Sequence, residues 1–165
     1  MPHCKFLNGC FLAAAIGLLA SQASAVEDLN DVLKETKWSG LIGTWVDEAT
    51  QGRGLTIRAA WKIKNHVIEF TQKEPQKETV SLICLQGKTG KIVQMGAASD
   101  GSSFLAEWTT KSTGEAVVGV GFMAPDGSEG VLNIRQKIEG NDKMVITIEL
   151  PQPITINMVR AANKK

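Results

Sequence analysis

The stretch LTIRAAWKIK, residues 55–64, sets the pattern that decides the fold of this chain. One set of alternate positions is apolar, namely Leu55, Ile57, Ala59, Trp61 and Ile63. The other set consists of Thr56, Arg58, Ala60, Lys62 and Lys64. A period of two residues is typical of a strand with one buried and one exposed face in an antiparallel sheet. The stretch therefore predicts a half-buried β-strand.

The same period continues on both sides of this stretch, interrupted by short runs of turn residues. Asp100-Gly101 and Pro125-Asp126-Gly127 are two such interruptions, and both are typical of tight turns. Residues 73–77, which include Pro75, are predicted to form a loop. The pattern predicts about eight to ten strands, at residues 41–48, 55–63, 67–72, 78–85, 91–98, 104–110, 116–123, 131–138, 143–150 and 154–160.

The short connections between these strands indicate the topology. Residues 26–37 have a helical pattern, with Asp28 as the predicted N-cap, but nothing is long enough to cross between parallel strands. We therefore predict an all-β, up-and-down antiparallel barrel preceded by a short helix. A barrel is favoured over an open sheet because closure removes exposed edges. A β-sandwich is the alternative, and it usually needs longer crossing connections than this chain offers.

The first 25 residues predict a secretory signal peptide rather than part of the fold. Lys5 precedes the uncharged apolar run at residues 11–20, and the segment ends in the small residues that precede a cleavage site. The run is about half the ~20 apolar residues that a membrane-spanning helix needs. We expect cleavage after Ala25, export to the periplasm or out of the cell, and no membrane insertion of the mature chain. The predicted division is a signal peptide (1–25), a helical lead-in (26–37) and a barrel domain (38–165).

Composition limits the classes of partner and site. The chain has 165 residues, 43% of them hydrophobic, with 18 basic and 17 acidic residues. Because Lys5 is the only charged residue among the first 25, the mature chain would carry 17 of each, and this balance argues against a nucleic-acid partner. Residues 26–165 contain one cysteine, Cys84, and one histidine, His66. We expect no internal disulfide and a buried, unreactive thiol at Cys84.

Residues suited to catalysis or metal binding are scarce. His66 falls in a predicted turn, which is typical of a solvated side chain rather than of a catalytic base. Zinc and iron sites use several His or Cys ligands, and no glycine-rich loop opens a helix to bind phosphate. We therefore predict no catalytic residues, no metal and no cofactor. A small hydrolase or isomerase on the same barrel is one alternative, with Glu107 as its best candidate.

The stretch Leu41-Ile42-Gly43-Thr44-Trp45 carries a resemblance to a known superfamily. A Gly-x-Trp on the first strand after a short N-terminal helix resembles the calycins, which include the lipocalins and the fatty-acid-binding proteins. The resemblance implies that Trp45 closes one end of the barrel and that Arg160 packs over its ring. Gly43, Trp45 and Arg160 are the positions that match.

Most of residues 38–135 are similar to the lipocalin-like domains of unknown function found in exported bacterial proteins. The chain lacks the Thr-Asp-Tyr motif and the disulfide of many lipocalins. This difference argues against the transport of small hydrophobic molecules that is usual for lipocalins, but it does not argue against the barrel. The matching elements are residues 41–45, the strand ending at Trp61, Gly87-Lys88-Thr89-Gly90 with Lys91, Glu107-Trp108, and Pro125-Asp126-Gly127.

Charged side chains interrupt three of the predicted strands, at Arg58, Glu107 and Arg135. Two readings are open, because several strands are apolar on both faces. In the first, the tryptophan-bearing face lies in the core and the three charges lie in water. In the second, the three charges form a polar patch inside a cavity with aromatic walls. The candidate cavity residues are Arg58, Trp61, Glu107, Trp108, Phe122 and Arg135.

These observations favour an exported barrel that binds a small, partly apolar ligand in its interior. The alternative is a non-enzymatic interaction or structural module of the cell envelope with a filled barrel. Its sign would be an exposed apolar patch or an unpaired strand edge, which we expect at residues 154–159. The sequence predicts neither the identity of the ligand nor the oligomeric state.

Overall fold

A computed structural model describes residues 28–111 and 113–162. These residues form one helix, α1 (Leu29–Glu35), a 3₁₀ turn (Ser39–Leu41) and ten β-strands. The strands are β1 (Gly43–Asp47), β2 (Thr56–Ile63), β3 (Val67–Glu74), β4 (Lys77–Gln86), β5 (Lys91–Ala98), β6 (Ser103–Thr110), β7 (Glu115–Met123), β8 (Glu129–Glu139), β9 (Lys143–Glu149) and β10 (Ile154–Arg160). The predicted signal peptide lies outside the described residues.

The ten strands follow one another in chain order around a closed antiparallel barrel, and β10 returns to pair with β1. This confirms the predicted all-β, up-and-down barrel with a short helix before it. The predicted loop at residues 73–77 is wrong in extent, because Lys73 pairs with Glu78 and Glu74 pairs with Lys77. Only Pro75 and Gln76 remain between β3 and β4. Proline fits this tight turn because it needs no ladder hydrogen bond there.

The barrel has two different ends. At the closed end, α1 lies against the turn between β2 and β3, where the Asn30 amide donates to the Asn65 carbonyl over 3.1 Å. The open end carries the β1–β2 loop (residues 48–55) together with the β3–β4, β5–β6, β7–β8 and β9–β10 connections. A seven-residue helix is too short to be stable alone in water. Burial of Leu29 and Leu33 against the barrel therefore holds α1 in place.

Strand β1 begins later than predicted, and its end at Asp47 leaves a gap in the wall near the open end. Leu41, predicted to begin the strand, lies in the 3₁₀ turn and is buried at the closed end. Strand β1 pairs with β10 from Asp47 opposite Met158 to Trp45 opposite Arg160. Residues 154–156 of β10 pair with β9 alone. The strand edge expected at residues 154–159 is thus unpaired only in its first part, near the open end.

Candidate functional site

An interior cavity occupies the half of the barrel next to the open end. It has two lobes of about 580 Å³ and about 460 Å³, and the two lobes share part of their lining. The first lobe lies beside the gap between β1 and β10, and the second lies under the β5–β6 and β7–β8 turns. The shared residues are Phe70, Gln72, Glu74, Ile134, Gln136 and Ile148.

The closed end is sealed around Trp45, which is fully buried. The guanidinium carbon of Arg160 lies 4.2 Å from the centre of the Trp45 ring. Arg160 Nη1 donates to the Ile42 carbonyl over 2.7 Å, and Nη2 donates to the Gly40 carbonyl. Gly43 has φ of 138°, and a Cβ on it would overlap Arg160 Nη1. The structure therefore brings Gly43, Trp45 and Arg160 together, and the glycine is required by the close approach of the guanidinium.

A polar chain crosses the buried wall above this seal. Trp108 Nε1 donates to Gln94 Oε1 over 2.9 Å, and Gln94 Nε2 donates to Ser81 Oγ over 2.8 Å. Ser81 Oγ donates in turn to the Phe70 carbonyl over 3.1 Å. Trp38 packs edge-on against Trp108 with the ring centres 5.4 Å apart. Each hydrogen-bonding group named in this series has a partner, so the series fixes the side chains below the cavity.

Aromatic rings form part of the wall of the second lobe. Phe104 lies opposite Gly96, and Phe122 lies opposite Gly130 in the strand register. A Cβ on Gly130 would lie 2.5 Å from Cζ of Phe122, and a Cβ on Gly96 would lie 2.7 Å from Cε1 of Phe104. A glycine inside a strand costs stability unless something needs the space. Here the two glycines give the rings room to lie along the wall.

Gln136 is the unusual polar residue of the cavity. It lines both lobes and is only 8% exposed. Its Oε1 has no hydrogen-bond partner within the described part of the chain, and the same holds for the buried Trp38 Nε1, which lines neither lobe. A buried acceptor without a donor costs about 1–3 kcal/mol of stability. The protein therefore buries this acceptor beside the cavity without a donor, at a cost in stability.

This cost gives a stability prediction for Gln136→Leu. Leucine has a similar size and no polar atom, so we expect the free energy of unfolding to rise by about 1 kcal/mol. The matched control is Gln94→Leu, which would leave Trp108 Nε1 without its acceptor and should lower that free energy by about 1–3 kcal/mol. Urea titrations of both variants measure the difference. Equal destabilisation by the two substitutions would contradict this account of Gln136.

Asp47 organises the loop at the lip of the first lobe. Its carboxylate accepts from the backbone amides of Thr50 over 2.7 Å and Leu55 over 2.9 Å, and also from the Thr50 hydroxyl. These hydrogen bonds, with that of the Thr50 side chain the strongest, lower the pKa of Asp47 despite its burial. The charge therefore holds residues 48–55 folded over the lip.

Asp47→Asn should destabilise the protein by about 1–3 kcal/mol at pH 7, because the amide replaces one charged acceptor with a donor. Since the folded pKa lies below the unfolded value of about 3.9, the contribution is complete above that value and is lost as pH falls through the folded pKa. The difference between wild type and variant should therefore shrink below about pH 4. Thermal melts at pH 7, 5 and 3 measure it, with the neighbouring Glu48→Gln as the control. A gap that is unchanged at pH 3 would count against this role.

The structure places the predicted cavity residues in three locations. Phe122 lines the second lobe. Trp61 and Trp108 pack in the core nearer the closed end and line neither lobe. The other three candidates, Arg58, Glu107 and Arg135, lie on the exposed outer face of the barrel.

This placement corrects the second reading of the strand pattern. Glu107 pairs with Lys91 over 2.9 Å, and Arg135 pairs with Glu149 over 2.6 Å, all on the outside. The charges face outwards because water solvates them far better than an apolar interior does. The first reading, with the tryptophan-bearing face in the core, therefore describes the barrel. The polar residues that do line the cavity were missed because glutamine and glutamate at inward positions look like solvent-facing residues until the face is known.

Two further sequence expectations concern single residues. His66 lies exposed in the turn between β2 and β3, at the closed end and away from the cavity. Cys84 is half-buried on β4 rather than fully buried, since its side chain belongs to the outer face. Within residues 28–111 and 113–162, no three His, Cys, Asp or Glu side chains come close enough together to hold a metal ion. None of the described helices is long and apolar enough to cross a membrane.

An apolar stripe runs across the outer face of β4 to β8. Leu82 pairs with Met95, Met95 with Leu105, Leu105 with Gly121, and Gly121 with Val131. All four large side chains in this row are exposed, and Val131 is 87% exposed. Val80 and Met123, also exposed, extend the row towards the open end. We call these six large side chains and Gly121 the outer stripe.

No protein-family model matches the chain, and no curated protein matches it at a significant level. The closed ten-strand antiparallel barrel is compatible with a calycin-like fold.

Proposed function

We propose that this chain is an exported, lipocalin-like barrel that binds a small, partly apolar ligand in its interior cavity. The observation that carries the proposal is the two-lobed cavity, open at one end and sealed by Trp45 and Arg160 at the other. Pockets of about 300–1,000 Å³ with apolar walls and a few polar groups are typical of small-molecule sites. The Gly-x-Trp and arginine arrangement supports the calycin part of the proposal, and the pattern of residues 1–25 supports export.

An unfilled cavity also lowers the stability of the folded barrel unless a ligand occupies it. Protein interiors are normally packed as densely as organic crystals, and unfilled volume lowers stability. In this barrel the unfilled volume lies beside Ile134 and Ile148, at an end where the wall has a gap. Binding of an apolar molecule there would restore the missing contacts.

Native mass spectrometry of gently purified protein tests the proposal by detecting any small molecule that stays bound. A titration with N-phenyl-1-naphthylamine, a neutral fluorophore that brightens in apolar surroundings, tests the empty protein. The proposal expects saturable binding at one molecule per chain. A failure of both experiments, with no retained mass and no saturable fluorescence, would overturn it.

Sequencing the amino terminus of the secreted or periplasmic protein tests export, with Val26 expected as the first residue.

The outer stripe favours a second candidate function, self-association as an envelope interaction module. Its exposed apolar side chains offer an area on the order of 500 Å², comparable to the largest patch on a typical monomer. This is a large share of the roughly 800 Å² per partner that specific interfaces bury. A second copy of this chain is the occupant we favour, because nearly equal numbers of acidic and basic residues leave little net repulsion between copies.

Leu105→Glu tests this second candidate, because Leu105 lies at the centre of the outer stripe. Burying an unpaired carboxylate in an apolar interface costs several kcal/mol, so we expect at least a tenfold weaker dimer. Sedimentation over a concentration series measures this, and Thr109→Glu on the outer face of the same strand is the control. Wild-type protein that stays monomeric at every concentration would contradict self-association.

A further inference from the structure

We propose that the ligand of the cavity is an alkyl-substituted aromatic molecule, with its ring against the phenylalanines of the second lobe and its aliphatic chain in the first lobe. This inference rests on the proposed function, because it names the chemical class that the same cavity would take. Two features of the cavity carry it: the division of aromatic and aliphatic side chains between the lobes, and the two glycines that let the rings lie along the wall.

The aromatic side chains of the lining lie towards one side of the cavity. Phe70, Phe104 and Phe122 all line the second lobe, and Phe70 belongs to the lining that the two lobes share. Among the described residues that line the first lobe, Phe70 is the one aromatic residue. The two lobes therefore differ in the chemistry of their walls. The apolar side chains that line the first lobe alone are aliphatic, namely Ala49, Leu55, Ile57, Ile146 and Ile156.

The rings of Phe104 and Phe122 turn away from each other along the wall. Gly96, Phe104, Phe122 and Gly130 lie side by side on β5, β6, β7 and β8. A Cβ on Gly96 would overlap the Phe104 ring, and a Cβ on Gly130 would overlap the Phe122 ring. Each ring therefore extends over the glycine beside it. Together the two rings cover this part of the wall across four strands.

The rings are accessible to a molecule in the second lobe. Phe104 and Phe122 point inwards and are half-buried, whereas Trp108, also on the inward face of β6, is buried. An aromatic ligand gains from offset-stacked or edge-to-face contact with such a ring beyond the burial of its area. One such contact is worth about two- to tenfold in affinity. A saturated ring or chain gains the burial of area alone.

The first lobe suits an aliphatic chain. It continues from the shared lining towards the gap between β1 and β10, where its apolar walls are leucine and isoleucine side chains. Such walls stabilise a chain in proportion to the apolar area that is buried. A molecule with a ring at one end and a chain at the other therefore matches both lobes at once.

The experiment compares three uncharged alcohols with equal numbers of carbon atoms: 6-phenyl-1-hexanol, 6-cyclohexyl-1-hexanol and 1-dodecanol. Their affinities are measured by displacement of N-phenyl-1-naphthylamine from the full mature protein. That fluorophore has two ring systems and no chain, so it reports on the cavity as a whole. We expect 6-phenyl-1-hexanol to bind at least about threefold more tightly than the other two alcohols. Burial of apolar area alone predicts the opposite order, because the saturated alcohols have more apolar area to bury.

Substitution of one ring assigns this preference. Phe122→Leu keeps an apolar side chain but removes the ring, so it should reduce the ratio of affinities between 6-phenyl-1-hexanol and 6-cyclohexyl-1-hexanol at least about twofold. Ile156→Val, which alters the first lobe alone, is the control and should leave this ratio unchanged. Because each variant is judged by a ratio between two probes, a general loss of affinity does not imitate the expected result.

Gly130→Ala tests the position of the Phe122 ring. A methyl group on residue 130 would lie 2.5 Å from Phe122 Cζ, so the ring must leave its place along the wall. We expect 6-phenyl-1-hexanol to bind at least about threefold more weakly. Gly121→Ala on the outer face is the matched control, because its Cβ would meet nothing closer than the Leu105 carbonyl oxygen at 3.8 Å. Unchanged affinity in Gly130→Ala would contradict the arrangement.

Intermolecular Overhauser effects locate the two ends of bound 6-phenyl-1-hexanol. The ring protons should contact the methyl groups of Val118, Val120 and Leu132, which line the second lobe alone. The methylene protons should contact Ile146 and Ile156, which line the first lobe alone. The reverse pattern would overturn the assignment of ring and chain to the lobes.

The outcomes separate this inference from the proposed function. If the alcohols displace the fluorophore but the saturated ones bind as well as or better than 6-phenyl-1-hexanol, the aromatic class is wrong and the binding function stands. If the preference persists undiminished in Phe122→Leu, the assignment to this ring is overturned. If neither the fluorophore nor any of the three alcohols binds, the cavity is not a ligand site and both proposals fail together.

Discussion

Ile134→Trp is expected to abolish binding of N-phenyl-1-naphthylamine without destabilising the protein. Ile134 lies on β8 between Val118 and Ile148 and lines both lobes of the cavity. An indole at this position would occupy space that the two lobes share. We expect the dissociation constant to rise at least about 30-fold, which corresponds to about 2 kcal/mol. Fluorescence titration of wild type and variant measures it.

The stability of the same variant provides an independent check. Adding a large side chain to a filled core costs about 1–3 kcal/mol through strain, whereas adding it to an open cavity does not. The melting temperature of Ile134→Trp should therefore match or exceed that of wild type. Arg135→Trp is the matched control, because the next residue on β8 faces outwards and should leave binding intact. Equal loss of binding in both variants, or strong destabilisation by Ile134→Trp, would contradict an open interior.

Trp45→Ala is expected to cause the largest loss of stability of any substitution considered, about 3–5 kcal/mol. The indole is fully buried, its Nε1 donates to the Leu41 carbonyl over 3.0 Å, and Arg160 stacks on its face. Removing the indole leaves a cavity beneath the Arg160 guanidinium, which loses its stacking partner. Chemical denaturation followed by circular dichroism measures the change.

Arg160→Met separates the contribution of the stacked cation from that of the ring. It removes the cation–π contact, worth roughly 0.5–2 kcal/mol, and the hydrogen bonds to the Gly40 and Ile42 carbonyls. Its effect should be clearly smaller than that of Trp45→Ala. If Trp45→Ala costs less than about 1 kcal/mol, the closed end is not sealed in the way described.

The barrel could be predicted from sequence because its signals are local. Alternation along β2 indicates a strand with two different faces, and turn residues such as Asp100-Gly101 fix where strands reverse. Strands β5 and β10 occur with the predicted bounds, residues 91–98 and 154–160. The segment before β1 was less predictable. Leu41 fits the strand pattern, but burial against the closed end draws it into a 3₁₀ turn instead.

The cavity could be predicted only in part, because it depends on which face of each strand is inside. Several strands are apolar on both faces, as the solvent-exposed Leu105 and Val131 of the outer stripe show. Charges then remain the best guide, and an inward Arg135 conflicts with the cost of burying an unpaired guanidinium. Gln136, its neighbour, gave no signal of its own, because a lone glutamine in an apolar strand is informative only once its burial is known.

The measurement that tests the central claim most directly is a methyl NMR experiment on the protein with bound N-phenyl-1-naphthylamine. Ile134, Ile146 and Ile148 line the cavity, whereas Leu82, Leu105 and Val131 lie on the outer stripe. We predict intermolecular Overhauser effects from the naphthyl protons to the methyl groups of the first set and none to the second. Contacts to the outer stripe alone, or none to the interior isoleucines, would contradict the claim that this barrel binds its ligand inside.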